Sequence, residues 1–393
     1  MRLRSSTLGS RLGRRLDEMV ERTPDDRERY VDFLRLLSIG VVIVWHWSLS
    51  VNYWTGDRFL NPNPIESVPG GWALTWLLQI MPVFFIVGGY ANYAAWQSAR
   101  QAGRGWPQFL GRRLQRLLVP VAVFVVLWTL FEVVAHFTVP GYAGITHYAW
   151  MVFTPLWFIA AYTGVVLLSP LTAALHERAR WATIGTLAGM VVIADVGRLA
   201  FGIDALGVVN TGLVWVLIHQ FGYFYRDGTL TRFGRGEAMA ITGAGVAALI
   251  GMTVLGPYPR SMVAVPGQPF SNILPTTAAI GAIAIFQLGV IMLARDRVSR
   301  WLRRPVAWKP VIAGNAVILT VFVWHMTALL IVLVLYRAAG GVLLAVPTAE
   351  WWAQRWFWLA APAVVLALFV VVFGVLEING PRLWRGRSRR RTR

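Results

Sequence analysis

Ten apolar stretches of 19 to 25 residues run through this chain of 393 residues, and each is long enough to cross a bilayer. They lie at approximately 33–51, 71–95, 117–139, 149–173, 181–202, 207–225, 237–257, 271–294, 312–336 and 356–378. Hydrocarbon offers no water to a free peptide group, so a span must satisfy its own backbone. Runs of this length do so as helices. The expected fold is therefore an all-α polytopic membrane protein, a bundle of about ten transmembrane helices. The tightest connection is IDAL, residues 203–206, which leaves almost no room between the fifth and sixth spans.

Loop charge predicts the orientation. All but six of the 37 basic residues fall at the two ends of the chain and in alternate loops on the same side. That side includes Arg112, Arg113, Arg116, Arg178, Arg180, the arginines of 226–235 and 295–304, and the final RLWRGRSRRRTR. The opposite side has only Arg58, Arg260, Arg337 and Arg355, while Arg35 and Arg198 lie within spans. Positive charge stays on the cytoplasmic side, so both termini are expected there. Trp72, Trp76, Trp351, Trp352 and Trp356 fall at the outer ends of spans, as an interfacial belt requires. The formal net charge of +19 is thus a signature of topology, and no nucleic-acid partner is expected.

The chain divides into a basic cytoplasmic segment at 1–30, a transmembrane domain at 31–380 and a basic tail at 381–393. In the first, Leu8, Leu12, Leu16 and Met19 recur at helical spacing among Arg11, Arg14 and Arg15. That pattern suits an amphipathic helix on anionic membrane lipids. The longest outer loop, 52–70, is rich in Asn and Pro and is expected to fold over the mouth of a cavity. With no cysteine, the chain has no disulfide, thiol nucleophile or cysteine metal site, and no metal centre is expected.

Ionisable residues inside the spans are the candidates for function, because their burial is costly. Arg35 and His46 are eleven residues apart on one helix face, separated by ~16 Å along the axis. Arg35 then lies near the cytoplasmic face and His46 near the bilayer midplane. A guanidinium suits phosphate, and a histidine exchanges protons near neutral pH. His325, in VFVWHM, falls at a similar depth. So does Asp195, although Asp195 and Arg198 at i, i+3 are equally placed to neutralise one another. His136 lies near the outer interface beside Glu132, and His219 in the cytoplasmic half of its span; packing accounts for both.

The chain resembles the acyltransferase-3 family of integral membrane acyltransferases over roughly 30–336. The marks are the Arg35–His46 spacing, MPVFFIVGGY in the second span, RRLQRLLVP before the third, PLWFIAAY in the fourth and VWH with His325. Many relatives have Ser-Gly after the paired phenylalanines, where this chain has Gly88-Gly89. The resemblance implies transfer of an acyl group, often acetyl, from cytoplasmic acyl-CoA to a hydroxyl of a carbohydrate, glycolipid or metabolite acceptor. It further implies a bacterial plasma membrane, cell-envelope acceptors and no bound cofactor, acyl-CoA being a co-substrate. Arg35, Arg112, Arg113 and Arg116 would then bind the polyanionic donor, and His46 would be the general base. Tyr90, Trp157 and His325 are candidates for the oxyanion, and Asp195 for orienting His46. Without a cysteine or a Gly-x-Ser-x-Gly turn, direct transfer is favoured over an acyl-enzyme.

A proton-coupled transporter or lipid flippase is the alternative reading, with His46, Asp195 and His325 as a proton relay. It leaves the basic mouth beside Arg35 without a purpose.

The orientation is tested by single cysteines in this cysteine-free chain. Ser6→Cys and Ser388→Cys should resist a membrane-impermeant thiol reagent in intact cells, whereas Ser67→Cys should react; labelling of either terminus from outside would reverse the topology.

Overall fold

The computed structural model describes residues 18–24, 27–56, 58–139, 141–142, 150–265 and 267–388. The amphipathic pattern of 1–17 and the last five residues of the tail lie outside the described residues. Helices dominate: α1 (Arg29–Ser48), α2 (Trp72–Leu78), α3 (Met81–Gln101), α4 (Trp106–Thr138), α5 (Leu156–Phe201), α6 (Ala205–Arg226), α7 (Arg235–Ile250), α8 (Ala278–Trp301), α9 (Pro305–Ala316), α10 (Ile318–Ala338), α11 (Ala349–Ala353) and α12 (Arg355–Ser388). Among the described residues, nine helical stretches are long and apolar enough to cross a membrane. One of them, α5, has 46 residues and would measure ~69 Å if straight, twice what a bilayer needs. It is interrupted at Ala179 (φ −155°, ψ 61°), within the HERAR segment read as a loop. Divided there, the stretches become ten, and the all-α polytopic reading holds.

The tight turn after α5 also forms. Gly202 takes φ 69°, a left-handed conformation that glycine adopts without a Cβ clash, and its amide donates to the carbonyl of Arg198. Ile203 closes the motif by donating to Gly197, and α6 begins at Ala205.

Two spans are broken where the apolar pattern runs on. The second divides into α2 and α3 at Gln79–Ile80, and the ninth into α9 and α10 at Val317. Each break frees backbone groups that hydrocarbon cannot satisfy, and each is repaired by a distant side chain. Gln287 of α8 donates from Nε2 to the carbonyls of Trp76, Leu77 and Gln79 at 3.3, 3.4 and 2.9 Å. Glu377 of α12 accepts from the backbone N–H groups of Leu319 and Thr320 at 3.1 and 2.9 Å, and from the Thr320 hydroxyl.

α10 is the most enclosed span, 78% buried against 17% for α4, and so lies at the centre of the bundle. Trp47 of α1 donates to the carbonyl of His325, and Trp128 of α4 donates to Thr327. Elsewhere in the bundle, α3 and α6 pack closely against one another, joined through glycines. A Cβ on Gly222 would fall 2.1 Å from the Ile86 carbonyl oxygen, and one on Gly89 would fall 2.0 Å from that of His219. Small residues at such a crossing let backbones approach within van der Waals range.

On the side that loop charge predicts to face outward, Tyr53–Thr55 (β1) and Arg58–Leu60 (β2) pair antiparallel, with Trp54 opposite Phe59. Arg337 lies 4.9 Å over the Trp54 ring. This hairpin does not cover the main outer cavity, as the 52–70 loop was expected to do. Val263 and Ile273, from the 258–277 connection, take that place. Asn272 folds this connection by donating to the carbonyls of Pro259 and Ser261.

Gly222→Ala should therefore destabilise the bundle by about 1–3 kcal/mol or more, the usual cost of overpacking. Gly212→Ala, in the same helix with open space around its Cβ position, should be neutral or slightly stabilising. Thermal unfolding of the two variants in one detergent makes the comparison; equal melting temperatures would show that the crossing is looser than described.

Candidate active site

The two intramembrane histidines meet. His46 Nδ1 lies 2.8 Å from His325 Nε2, and the rings are nearly parallel, 8° apart. The other nitrogen of His325, Nδ1, lies 2.5 Å from the Phe322 carbonyl oxygen. A carbonyl only accepts, so His325 Nδ1 carries a hydrogen. In neutral His325, Nε2 then has a lone pair and accepts from His46 Nδ1–H. His46 Nε2 is left as an unprotonated base. It has no hydrogen-bond partner among the described residues, and His46 lines the outer cavity. One carbonyl on α10 thus sets the tautomer of a histidine on α1.

His46 opens on one of two cavities in the bundle. The first, about 540 Å³, gathers Arg35 of α1, Asn92 of α3, Arg113 and Arg116 of α4, and Tyr162 of α5. Arg113 and Arg116 reach it together because i and i+3 share a helix face. Arg113 donates to the Ala91 carbonyl, and its Nε is buried without a partner. Among the described residues, no carboxylate forms an ion pair with Arg35, Arg113 or Arg116. The second cavity, about 710 Å³, lies on the outer side and includes His46, Gln79, Trp45 and Trp157. Between them stand Phe84, which lines the first, and Phe158 and Phe322, which line the second. Phe84 and Phe158 meet edge to face at 5.0 Å, as do Phe158 and Phe322 at 5.2 Å.

The other sequence candidates are distributed differently. Arg112 is exposed and is not among the residues lining the arginine cavity, being one residue out of phase with Arg113 and Arg116. Tyr90 lies under the Arg226 guanidinium, 5.5 Å from ring centre to Cζ, and lines neither cavity. Asp195 does not reach His46. Its Oδ1 accepts from Asn210 at 2.6 Å, and its Oδ2 accepts from Tyr258 at 2.9 Å and from the Ala278 N–H at 2.6 Å. It therefore caps α8 and ties three outer elements together; His325 occupies the position beside His46 instead. Nor do Asp195 and Arg198 neutralise one another, since Arg198 packs over Phe270 and forms no ion pair among the described residues. His136 is exposed near the outer end of α4, and His219 is buried with Nε2 3.1 Å from the Asn92 amide nitrogen.

Sequence reasoning missed Asn92, Tyr162 and Gln79. Asn92 and Gln79 carried a signal, a polar side chain within an apolar run. Tyr162 carried one only in combination with Gly88, whose Cβ position lies 2.7 Å from the Tyr162 ring and 2.9 Å from its hydroxyl. The phenol therefore occupies the space that a serine at position 88 would need.

The family model of the acyltransferase-3 family, described as an acyltransferase domain, matches residues 28–382. The chain belongs to that family and is a multi-pass membrane acyltransferase. No curated protein and no solved structure matches the chain.

If Asp195 serves the fold, Asp195→Ala should lower stability by more than about 2 kcal/mol, since three buried or part-buried donors lose their acceptor. Activity per folded molecule should remain within a few-fold of the parent. A melting curve and an activity measurement on the same preparation test this; a large loss of activity at unchanged melting temperature would return Asp195 to the catalytic group.

Proposed function

We propose that this acyltransferase moves an acyl group, acetyl being the simplest, from cytoplasmic acyl-CoA to an acceptor hydroxyl, with His46 as the general base. The observation that carries the donor is the arginine cavity. Three guanidiniums face one space without an anionic partner, on the side where loop charge predicts the cytoplasm. Their mutual repulsion makes the empty site costly and a polyphosphate ligand favourable. Coenzyme A is such a ligand. Arg35, Arg113 and Arg116 would take its phosphate oxygens, and the Asn92 amide and Tyr162 hydroxyl would add neutral hydrogen bonds.

The donor's thioester would then point past Phe84 toward the histidine pair. His46 Nε2 accepts the proton of the acceptor hydroxyl as that oxygen attacks the thioester carbonyl carbon. The tetrahedral intermediate collapses with cleavage of the C–S bond, and the proton on His46 returns to the leaving sulfur. His325 accepts from His46 Nδ1–H throughout, so it orients the base and stabilises the transient imidazolium. Trp157, whose indole N–H has no partner among the described residues, supports the oxyanion better than Tyr90, because it shares the cavity with His46. The acceptor is a hydroxyl compound of the cell envelope or a metabolite, met in the plasma membrane.

Transport without chemistry is the weaker reading. Its proton relay needs Asp195, which is hydrogen-bonded into the outer connections, and it gives the three unpaired arginines no ligand.

Transfer of labelled acetyl from acetyl-CoA into a lipid or glycan fraction tests the proposal. His46→Gln should lose about 10²–10⁴-fold in transfer while still binding CoA. Arg35→Ala should weaken CoA binding by roughly 1.5–3 kcal/mol, with partial recovery in Arg35→Lys. Substantial transfer by His46→Gln would remove the base assignment, and unchanged CoA affinity in folded Arg35→Ala would leave Arg35 as a helix anchor.

A further inference from the structure

The cavity beyond His46 differs from the arginine cavity in one decisive respect. Among the described residues, no Asp, Glu, Lys or Arg lines it. Its walls include the aromatic rings of Trp45, Trp157, Phe158 and Phe322, with Val263 and Ile273 as the outer cover.

Few polar atoms remain available inside it. The Thr75 hydroxyl is occupied, donating to the Trp72 carbonyl and accepting from the Met262 N–H. The Gln79 backbone is occupied as well: its N–H donates to Thr75 and its carbonyl accepts from Gln287. The Gln79 side-chain amide, by contrast, has no hydrogen-bond partner among the described residues. It lines the cavity because the helix breaks at that residue, and Gln287 of α8 satisfies the carbonyls which that break exposes. Among the side chains, the remaining polar capacity is therefore His46 Nε2, one amide, and the indole N–H groups of Trp45 and Trp157.

That inventory selects a class of acceptor. A charged acceptor would lose its hydration and find no counter-charge. A free sugar would bury several hydroxyls against too few partners, each unmatched one being costly. A molecule with one hydroxyl on an apolar body meets neither cost, and its body gains by leaving water.

We infer that this cavity is the acceptor site, that it takes a neutral and predominantly apolar alcohol, and that the Gln79 amide is the residue that holds its hydroxyl. The inference rests on the acyltransferase reading of His46 given above. Gln79 Nε2–H donates to the acceptor oxygen, which keeps the hydroxyl hydrogen directed at His46 Nε2. In the transfer, the alcohol oxygen bonds to the acyl carbon and the carbon–sulfur bond breaks. The hydroxyl proton passes through His46 to sulfur, so the products are an ester and the free thiol of coenzyme A.

The test measures occupancy without needing turnover. Purified full-length protein in lipid nanodiscs is photolabelled with a diazirine-bearing dodecanol, and in parallel with the same diazirine alkane lacking the hydroxyl. Labelled peptides are mapped by mass spectrometry. The alcohol should label peptides holding Gln79, Trp157 or Val263 in a saturable manner, displaced by 1-dodecanol but not by methyl glucoside or dodecanoate. Ile273→Trp, which fills the cavity from its cover, should suppress the labelling. Gln79→Leu should retain the labelled positions yet weaken the alcohol about threefold to tenfold, the value of one neutral hydrogen bond, and leave the alkane unaffected. Equal labelling by alcohol and alkane in the parent protein, or equal displacement by the glucoside or the carboxylate, would overturn the inference. CoA binding measured on the same samples separates the two readings. Intact CoA binding with no alcohol-specific label refutes the acceptor class alone, whereas alcohol-specific label without CoA binding refutes the donor assignment and leaves the alcohol site standing.

Discussion

Every peptide group in hydrocarbon must find a partner within the protein, and this site is built around the places where the helices fail to supply one. The break after α2 is closed by Gln287, the start of α10 by Glu377, and the start of α8 by Asp195. Each polar side chain comes from a different helix, so each repair is also a cross-tie in the bundle. The breaks are not incidental to the site. The first turns Gln79 into the outer cavity, and the second begins the helix that carries His325 beside α1. A continuous helix in either span would leave those side chains at other angles around the axis.

The rest of the site follows from two kinds of burial cost. In the arginine cavity the cost is electrostatic, since three like charges converge and none forms an ion pair among the described residues. In the outer cavity it is a matter of hydrogen bonds, since few polar atoms are present. These environments favour opposite ligands, a polyanion on one side and a neutral apolar molecule on the other. The histidine pair borders the outer cavity through His46 and is anchored to α10 through the Phe322 carbonyl. Charge sorting by the membrane and charge sorting by the two cavities therefore run in the same direction.

Much of this was legible in the sequence. Span number, the tight turn at Gly202 and the common level of His46 and His325 all follow from length, charge and helical rise. The breaks were not legible, because an apolar run looks the same whether its helix continues or is interrupted at Gln79 or Val317. Depth also misled for Asp195. It placed the carboxylate level with the histidines but said nothing of its direction around α5, and three donors elsewhere claim it. Among the arginines, phase would have separated Arg112 from Arg113 and Arg116, but only once Arg35 was known to face the same space. The pairing of Gly88 with Tyr162 joins two helices and has no signature in either alone.

The aromatic partition makes the same division a matter of chemistry. An acyl thioester delivered to a histidine base is open to attack by water as well as by an alcohol, and water is far more abundant. Phe84, Phe158 and Phe322 stand edge to face between the arginine cavity and the one that holds His46. In the proposed reaction, the donor's phosphates would remain with the arginines while only its slender, uncharged acyl arm would need to pass the rings. On the far side, an apolar acceptor would displace the water that competes with it. Under the proposed function, a charge-free outer cavity would serve selectivity twice: it would favour an alcohol over ionic acceptors, and it would favour the alcohol over water at the atom that His46 would activate.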